Sequence, residues 1–445
     1  MASSKALLAA TLAAVALAST ACGSPNAAHE AGGGAASSGA SDSASTAKAL
    51  GVDLAKCGSD PTAKLGIDVK VGQTFAMSGG PATAFAPVGA GVKAGFQSFN
   101  DTGNFRTKFN LIQADDAFAP DKALTATQQL IDKDKVSAMA VTIGTPQVLA
   151  VRPLLNAECV PMLSGQAGGA SANAPAKFPW TVPFTLPSTV DARIWVENIV
   201  AKYPDGAKVA MFHSNDSPGK QFFEAVKKYM AGTKSTIVSE QTIENTDAAA
   251  PASQVTSMRS SGASVLIAAP TGSGCASLMK EVAGQGWKPT FYISSQCQAT
   301  LFDAAGTAAN GVLVNGIIKD PTRAPYNNDP DVVAAVAQLR KFAPSAPVNY
   351  STILGMMYAS PFFAASKQAA ASPLGLSRLG ILQAATHMTF QPPLALPGVK
   401  YQLDYPKDQV AMEAAQLQQY DAASKTFTKV KLYDFEGQMT GVASS

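Results

Sequence analysis

From Leu65 onward the chain repeats one unit, a short apolar run followed by a stretch with helical spacing, and this rhythm limits the fold more than any other feature. Ile67, Val69 and Val71 alternate as strand residues do and lead into the polar turn Ser78-Gly79-Gly80-Pro81. Val88, Val92, Phe96 and Phe99 then recur at three- and four-residue steps, the period of one helix face. Residues 109–113 read as the next strand, which ends at Asp115-Asp116. Pro120-Asp121 opens a helix through Leu124, Leu130 and Ile131, with proline in the first turn, where its missing N–H is not needed. A strand over 136–142, the turn Gly144-Thr145-Pro146, a helix to Asn156 and a strand over 160–163 continue the series. Parallel neighbours need a crossover helix between them, so the repeat predicts βαβ units and an α/β fold with parallel sheets covered on both faces.

The rhythm stops at Phe178-Pro179-Trp180-Thr181-Val182-Pro183-Phe184-Thr185-Leu186-Pro187. Prolines at that density do not sit in a helix, and the segment reads as an extended crossover between two lobes. Strands resume over 208–212, 235–239, 265–269, 291–294 and 311–315. Residues 317–322 read as a return crossing and 390–397 as a third. The expected division is lobe one over 65–183 and 317–390, and lobe two over 184–316 and 391–445. Past Ser345 the Ala-rich helices blur the pattern. The roughly 400 residues beyond the N-terminal segments exceed one small core and suffice for two lobes.

The N-terminus points outside the cytoplasm. Met1-Ala2-Ser3-Ser4-Lys5, an apolar run over 6–18 and Ser19-Thr20-Ala21-Cys22 have the layout of a secretory signal. The run falls short of the ~20 residues a bilayer-spanning helix needs. Small residues directly before cysteine resemble a bacterial lipoprotein signal, in which Cys22 is acylated and becomes the new N-terminus; an ordinary secretory signal with an incidental cysteine is the alternative. Residues 1–21 are therefore read as signal and 22–64 as a flexible Ala/Gly/Ser-rich tether on the outer face of the bacterial cytoplasmic membrane. With Cys22 lipidated, Cys57, Cys159, Cys275 and Cys297 form an even set that allows three pairings. Cys57–Cys159 with Cys275–Cys297 is expected, since each pair then lies within one lobe. Zinc competes poorly, because no CxxC spacing occurs and the three histidines are distant in sequence. A formal net charge of +3 and no Lys/Arg cluster give no case for nucleic acid.

Several segments together carry a resemblance. Residues 69–81, Asn100-Asp101-Thr102-Gly103, Ala114-Asp115-Asp116, Val160-Pro161-Met162-Leu163-Ser164 and residues 181–188 resemble, in order, elements of type I periplasmic binding proteins of the leucine/branched-chain amino acid-binding group. The resemblance runs from about Leu65 past Gly316 and implies two Rossmann-like lobes joined by a multi-strand hinge. It further implies a small polar ligand caught by closure of this clamshell, an ABC permease as partner, a monomer, and neither cofactor, metal nor catalysis. Ligands of open parallel sheets bind beyond the carboxyl ends of the strands. Here those loops are 78–81, 144–147, 164–168, 215–219, 271–274 and 294–298, all rich in Ser, Thr, Gly, Asn and Gln.

Matched position by position, the family's contacts fall on Ser78 and Gly79 in the first loop, on Phe85 as aromatic cover, and on Thr145, Gln147, Ser164 and Gln166 around the ligand carboxylate. The second lobe departs from the pattern. Pro218 precedes Gly219 where the family has Tyr, a second Tyr position reads Thr271, and the acid that pairs with the ligand ammonium aligns with Gln296. Asp216 substitutes for that acid only if it points inward. A buried ammonium without a carboxylate costs more than neutral hydrogen bonds return, so a carboxylic acid, amide or other neutral polar ligand is expected rather than a free branched-chain amino acid. Plainer readings stand beside these: Ser78, Ser164 and Thr271 also suit helix capping, Phe85 also suits the core of lobe one, and Gln296 sits beside Cys297. Gly89, Gly91 and Gly95 lie inside a helical pattern and read as close helix packing, not as a dinucleotide fingerprint. Neither GxSxG nor HExxH occurs, leaving His213 with Ser78 or Ser164 as the hydrolase alternative. A ligand-sensing receptor with the same lobes is the other alternative.

Overall fold

The computed structural model describes residues 34–244, 250–270, 272–297 and 299–439, so the signal segment with Cys22, and Thr271, lie outside the described residues. The first described element is helix α1 (Gly34–Ala49). Lobe one then follows the expected alternation: β1 (Asp68–Phe75), α2 (Ala82–Asp101), β2 (Lys108–Asp115), α3 (Pro120–Asp132), β3 (Ala138–Ala140), α4 (Thr145–Ala157), β4 (Met162–Leu163) and β5 (Thr181–Val182). These strands form a five-stranded parallel sheet in the order β2-β1-β3-β4-β5. Strand β5 lies inside the segment read as a bare crossover. Met162 N donates to Trp180 O at 2.8 Å and Ser164 N to Val182 O at 3.1 Å. Pro179 and Pro183 flank the pairing residues, so an edge strand tolerates them.

Lobe two opens with α5 (Ser188–Lys202) and continues as β6 (Lys208–Ser214), α6 (Ser217–Met230), β7 (Thr236–Ile243), α7 (Ala252–Ser260), β8 (Val265–Ala269), α8 (Gly274–Gly284), β9 (Thr290–Ile293), α9 (Ala299–Ala305) and β10 (Leu313–Gly316). The chain returns to lobe one through α10 (Pro330–Phe342), α11 (Tyr350–Ala370) and α12 (Arg378–Thr386). It turns through the hairpin of β11 (His387–Phe390) and β12 (Tyr401–Asp404), and β13 (Ala414–Asp421) with β14 (Thr426–Asp434) then closes lobe two. The second sheet has seven strands in the order β14-β13-β10-β9-β8-β6-β7, antiparallel only where β13 joins β10 and β14 joins β13.

The expected flexible tether is corrected over its second half. Alanine is the best helix former, and α1 occupies this Ala-rich stretch. Ala47, Leu50 and Val52 are buried in the main core, Gly58 N donates to Ala157 O at 3.1 Å, and Leu65 N donates to Leu376 O at 2.8 Å. Cys57 is bonded to Cys159 and Cys275 to Cys297, with Cα separations of 5.2 and 5.8 Å, as expected.

Two glycine contacts set how closely lobe one's helices pack. A methyl group built on Gly91 of α2 would overlap Thr352 O of α11, and one on Gly355 of α11 would overlap Val88 O of α2. The backbones therefore touch, and Phe96 and Phe99 of α2 stack on Phe362 and Phe363 at ring separations of 5.5 and 4.3 Å. We expect Gly91→Ala to destabilise the chain by about 1–3 kcal/mol through overpacking, measured as a lower urea midpoint with unchanged slope.

The lobes are tied where the crossings meet. Leu396 N donates to Ile317 O at 3.0 Å and Lys319 N to Leu394 O at 2.9 Å, so the second and third crossings pair with each other. Beside them Asp191, in the first turn of α5, accepts from Ser295 Oγ at 2.7 Å and from Asn315 Nδ2 at 2.9 Å. Burial pushes Asp191 up to about 6 against those two hydrogen bonds. A carboxyl raised on folding contributes stability below its unfolded value near 3.8 and loses that contribution as pH rises through about 6. Relative to Asp191→Asn, the wild type should thus lose about 3 kcal/mol between pH 4 and 7, measured by urea unfolding at each pH.

Candidate ligand site

The carboxyl ends of the lobe-one strands carry a cluster of strained backbone. Ala117, Phe118, Val141 and Ser164 have φ of 45°, 58°, 55° and 61°, and Gly144 has φ of 110°. Non-glycine residues held there cost energy, and such outliers concentrate at functional sites. The acidic pair at the end of β2 explains two of them. Asp115 accepts from Ala117 N at 2.9 Å, and Asp116 from Phe118 N at 2.8 Å, which bends the chain sharply after the strand. Phe118 is thereby stacked on Phe85 with ring centroids 4.8 Å apart and planes 14° apart.

Below this aromatic pair sit the polar side chains expected from sequence. A methyl group on Gly144 would overlap Gln147 Oε1 and come within 3.0 Å of the Phe118 ring, so the amide lies directly under the aromatic cover. Gly144 N donates to Gln166 O at 2.9 Å, and Gln166 N to Thr142 O at 2.8 Å, joining the loops after β3 and β4. Thr145 Oγ1 accepts from Gly169 N at 3.2 Å. Gln147 and Ser164 are each only 1 % exposed, yet Gln147 Oε1, Ser164 Oγ and Gln166 Oε1 have no hydrogen-bond partner. Gln147 lies in the first turn of α4, whose first N–H groups have no partner inside the helix, and Gln166 joins it through the backbone at Gly144.

Lobe two closes over this face. Gln221 Oε1 of α6 accepts from Ser171 N at 3.2 Å, and Gln296 Nε2 lies 3.1 Å from where a Gly168 methyl would stand. Ser188 N donates to Gly168 O at 2.8 Å. At the hinge end of the cleft, Ser295, Asn315, Asp320, Arg323, Tyr326 and Tyr350 line a cavity of about 40 Å³.

The structure thus brings together Phe85, Thr145, Gln147, Ser164 and Gln166, with Gln296 opposite. Ser78 and Gly79 sit on an exposed rim: Ser78 donates its hydroxyl to Asp115 Oδ2 and its N–H to Asp115 Oδ1. That hydroxyl, aided by backbone donors, holds Asp115 down at about 2, whereas desolvation pushes its neighbour Asp116 up to about 6. Asp216 sits at the N-terminus of α6. It caps α6, accepting from Gly219 N at 2.8 Å and from Ser214 Oγ at 2.7 Å. His213 and the serines do not form a nucleophile–base pair; its ring nitrogens lie 2.9 Å from Ser214 O and 3.0 Å from Glu240 Oε1. Sequence reasoning missed Phe118, Gln221 and Asp191, and named Ser295 only within the 294–298 loop. Phe118 alone had a signal, an aromatic residue two positions past a strand-ending acidic pair.

Comparison with known proteins agrees with this geometry. The sequence profile of the Periplasmic binding protein family matches residues 68–425. No curated protein sequence matches the chain. A solute-binding protein of an ABC transporter from Rhodopseudomonas palustris BisB5, solved with 3,4-dihydroxybenzoic acid, superposes with a TM-score of 0.68 at 20 % identity, covering 83 % of this chain and 98 % of that one. A fatty acid ABC transporter substrate-binding protein from Thermomonospora curvata gives 0.71 at 18 % identity, with 85 % and 95 % covered. A branched-chain amino acid ABC transporter protein from Thermus thermophilus with bound valine gives 0.71 at 17 % identity, with 82 % and 96 % covered. With the profile spanning most of its length, the chain belongs to the periplasmic binding protein family.

Proposed function

We propose that this chain is the lipid-anchored substrate-binding component of an ABC importer, and that it holds a small carboxylic acid or amide with a flat apolar body between its lobes. The observation that carries the ligand class is the set of three buried, unpartnered polar atoms, Gln147 Oε1, Ser164 Oγ and Gln166 Oε1, in the lobe-one loops where Gln147 lies by Phe118 of the Phe85–Phe118 stack. The N-terminus of α4 favours a carboxylate, and glutamine and serine ends supply both donors and acceptors for a hydroxyl or amide. The stacked rings cover an apolar body. An ammonium finds no matching acid, since Gln296 stands at the family's acidic position and Asp216 is engaged as a helix cap. The Rhodopseudomonas palustris relative with its dihydroxybenzoate is consistent with this class. Anchoring through Cys22 would keep the lobes beside the permease. Among the described residues no helix is long and apolar enough to cross a membrane.

The test is thermal unfolding of the purified chain against hydroxybenzoates, benzamide, short fatty acids, leucine, isoleucine and valine. A ligand at ~100 times its Kd adds about 2.7 kcal/mol, a readily seen shift. We expect acids or amides to raise Tm and the three amino acids to leave it unchanged; a shift with leucine, isoleucine or valine makes the chain an amino-acid carrier instead. Phe118→Ala and Gln147→Ala should each weaken the binding ligand at least ~10-fold, a loss of about 1.4 kcal/mol or more, by calorimetry.

A further inference from the structure

Far along the chain from the cleft residues, the open end of the β13–β14 hairpin gathers three carboxylates. Glu413 directly precedes β13, and Phe435 N donates to Glu413 O at 3.1 Å, which sets Glu436 beside it. Asp408 follows β12 in a turn closed by Gln402 N on Ala411 O at 2.9 Å. One oxygen from each of Asp408, Glu413 and Glu436 lies within 4.8 Å of the other two.

Burial separates this group from an ordinary acidic patch. Glu413 is 1 % exposed and Asp408 7 %. In each carboxylate one oxygen is anchored. Glu413 Oε1 accepts from Met439 N at 3.2 Å, Asp408 Oδ1 accepts from Val410 N at 3.2 Å, and Glu436 Oε2 lies 3.8 Å from Lys400 Nζ. Glu413 Oε2 has no hydrogen-bond partner, and the Asp408 and Glu436 carboxyls lie within hydrogen-bonding reach of each other. A contact from lobe one lies next to the group. Asn173 of lobe one, 8 % exposed, donates its amide to Gln409 O at 2.6 Å, next to Asp408, and its own side-chain carbonyl oxygen is unpartnered.

Three carboxylates against the one ammonium of Lys400 leave two negative charges where desolvation costs several kcal/mol per ion. Either protons or a divalent cation removes that cost. Burial first, then the Asp408 carboxylate, pushes Glu413 and Glu436 up. Oxygens bound to one calcium ion at ~2.3–2.6 Å stand up to about 5 Å apart, which the observed spacing satisfies, and an all-oxygen donor set suits a hard cation. We propose that Asp408, Glu413 and Glu436 bind one calcium ion, which fastens the end of the edge hairpin to the segment that follows the third crossing.

The probe is calcium chloride, titrated into the chelator-treated full chain at pH 8 by calorimetry, with Tm read in parallel. The expected result is one calcium per chain and a Tm that rises with calcium. Glu436→Gln, at the least buried of the three, should bind calcium at least ~10-fold more weakly. A wild type that neither takes up calcium nor shifts its Tm at millimolar concentration overturns the site, as does unaltered binding by Glu436→Gln. A calcium-insensitive chain whose stability falls from pH 6 to 9, and falls less in Glu413→Gln, holds protons there instead and likewise overturns it.

Discussion

The pairing of Ile317 with Leu396 and of Lys319 with Leu394 is the contact on which the cleft depends. Both lobes are parallel sheets, and a parallel sheet offers ligand-binding loops only at its carboxyl edge. Two separate domains would have no reason to turn those edges toward each other. The chain imposes it by crossing through β5, by 317–322 and by 390–397, and the last two crossings hydrogen-bond to each other as short antiparallel strands. Asp191 then fixes α5 to the loop after β9 through Ser295 and to β10 through Asn315, so the first helix of lobe two is held to its own sheet beside the crossings.

Within that frame the two kinds of polar group behave differently. Charges at the hinge are paired: Lys319 lies 2.9 Å from Asp329, and Arg323 lies 2.9 Å from Asp320 and 2.6 Å from Asp303. An unpaired buried charge there would cost several kcal/mol, which pairing largely offsets. The cleft groups are neutral, and leaving Gln147, Ser164 and Gln166 without partners carries the smaller penalty of an unsatisfied amide or hydroxyl. On the proposed reading, a bound ligand would remove that penalty. Neutral groups also avoid a charge that would have to be desolvated at every closure.

The rhythm of lobe one was legible because its strands alternate and its helices carry clean apolar stripes; β1, β2, α3 and α4 fall close to where spacing puts them. Strands β13 and β14 were not. Their pairing is antiparallel and terminal, and β14 exposes Lys429 and Lys431, so no buried run announces it. Helix α11 was blurred for the opposite reason. Ile353, Met357, Tyr358, Phe362 and Ala365 are buried on different sides of it, and a helix covered all round has no stripe. The polar residues of the cleft were found through resemblance, whereas Phe118 depended on backbone bent to positive φ, which side-chain patterning does not encode. Asp216 shows the same limit: helix-cap and ligand partner look alike in sequence and differ only in which way the carboxylate points.

The strain in lobe one and the missing acid in lobe two have a common physical sense. Residues 117, 118, 141 and 164 occupy left-handed conformations at about 1–3 kcal/mol each, a cost that persists only where surrounding structure enforces it. What the strain produces is an aromatic stack set above neutral donors and acceptors, held in place before any ligand arrives. Preorganisation of this kind lowers the ordering cost of binding, so affinity can come from shape and hydrogen bonds without an ion pair. On the proposed reading, Gln296 opposite such a site would favour ligands that need no acid partner.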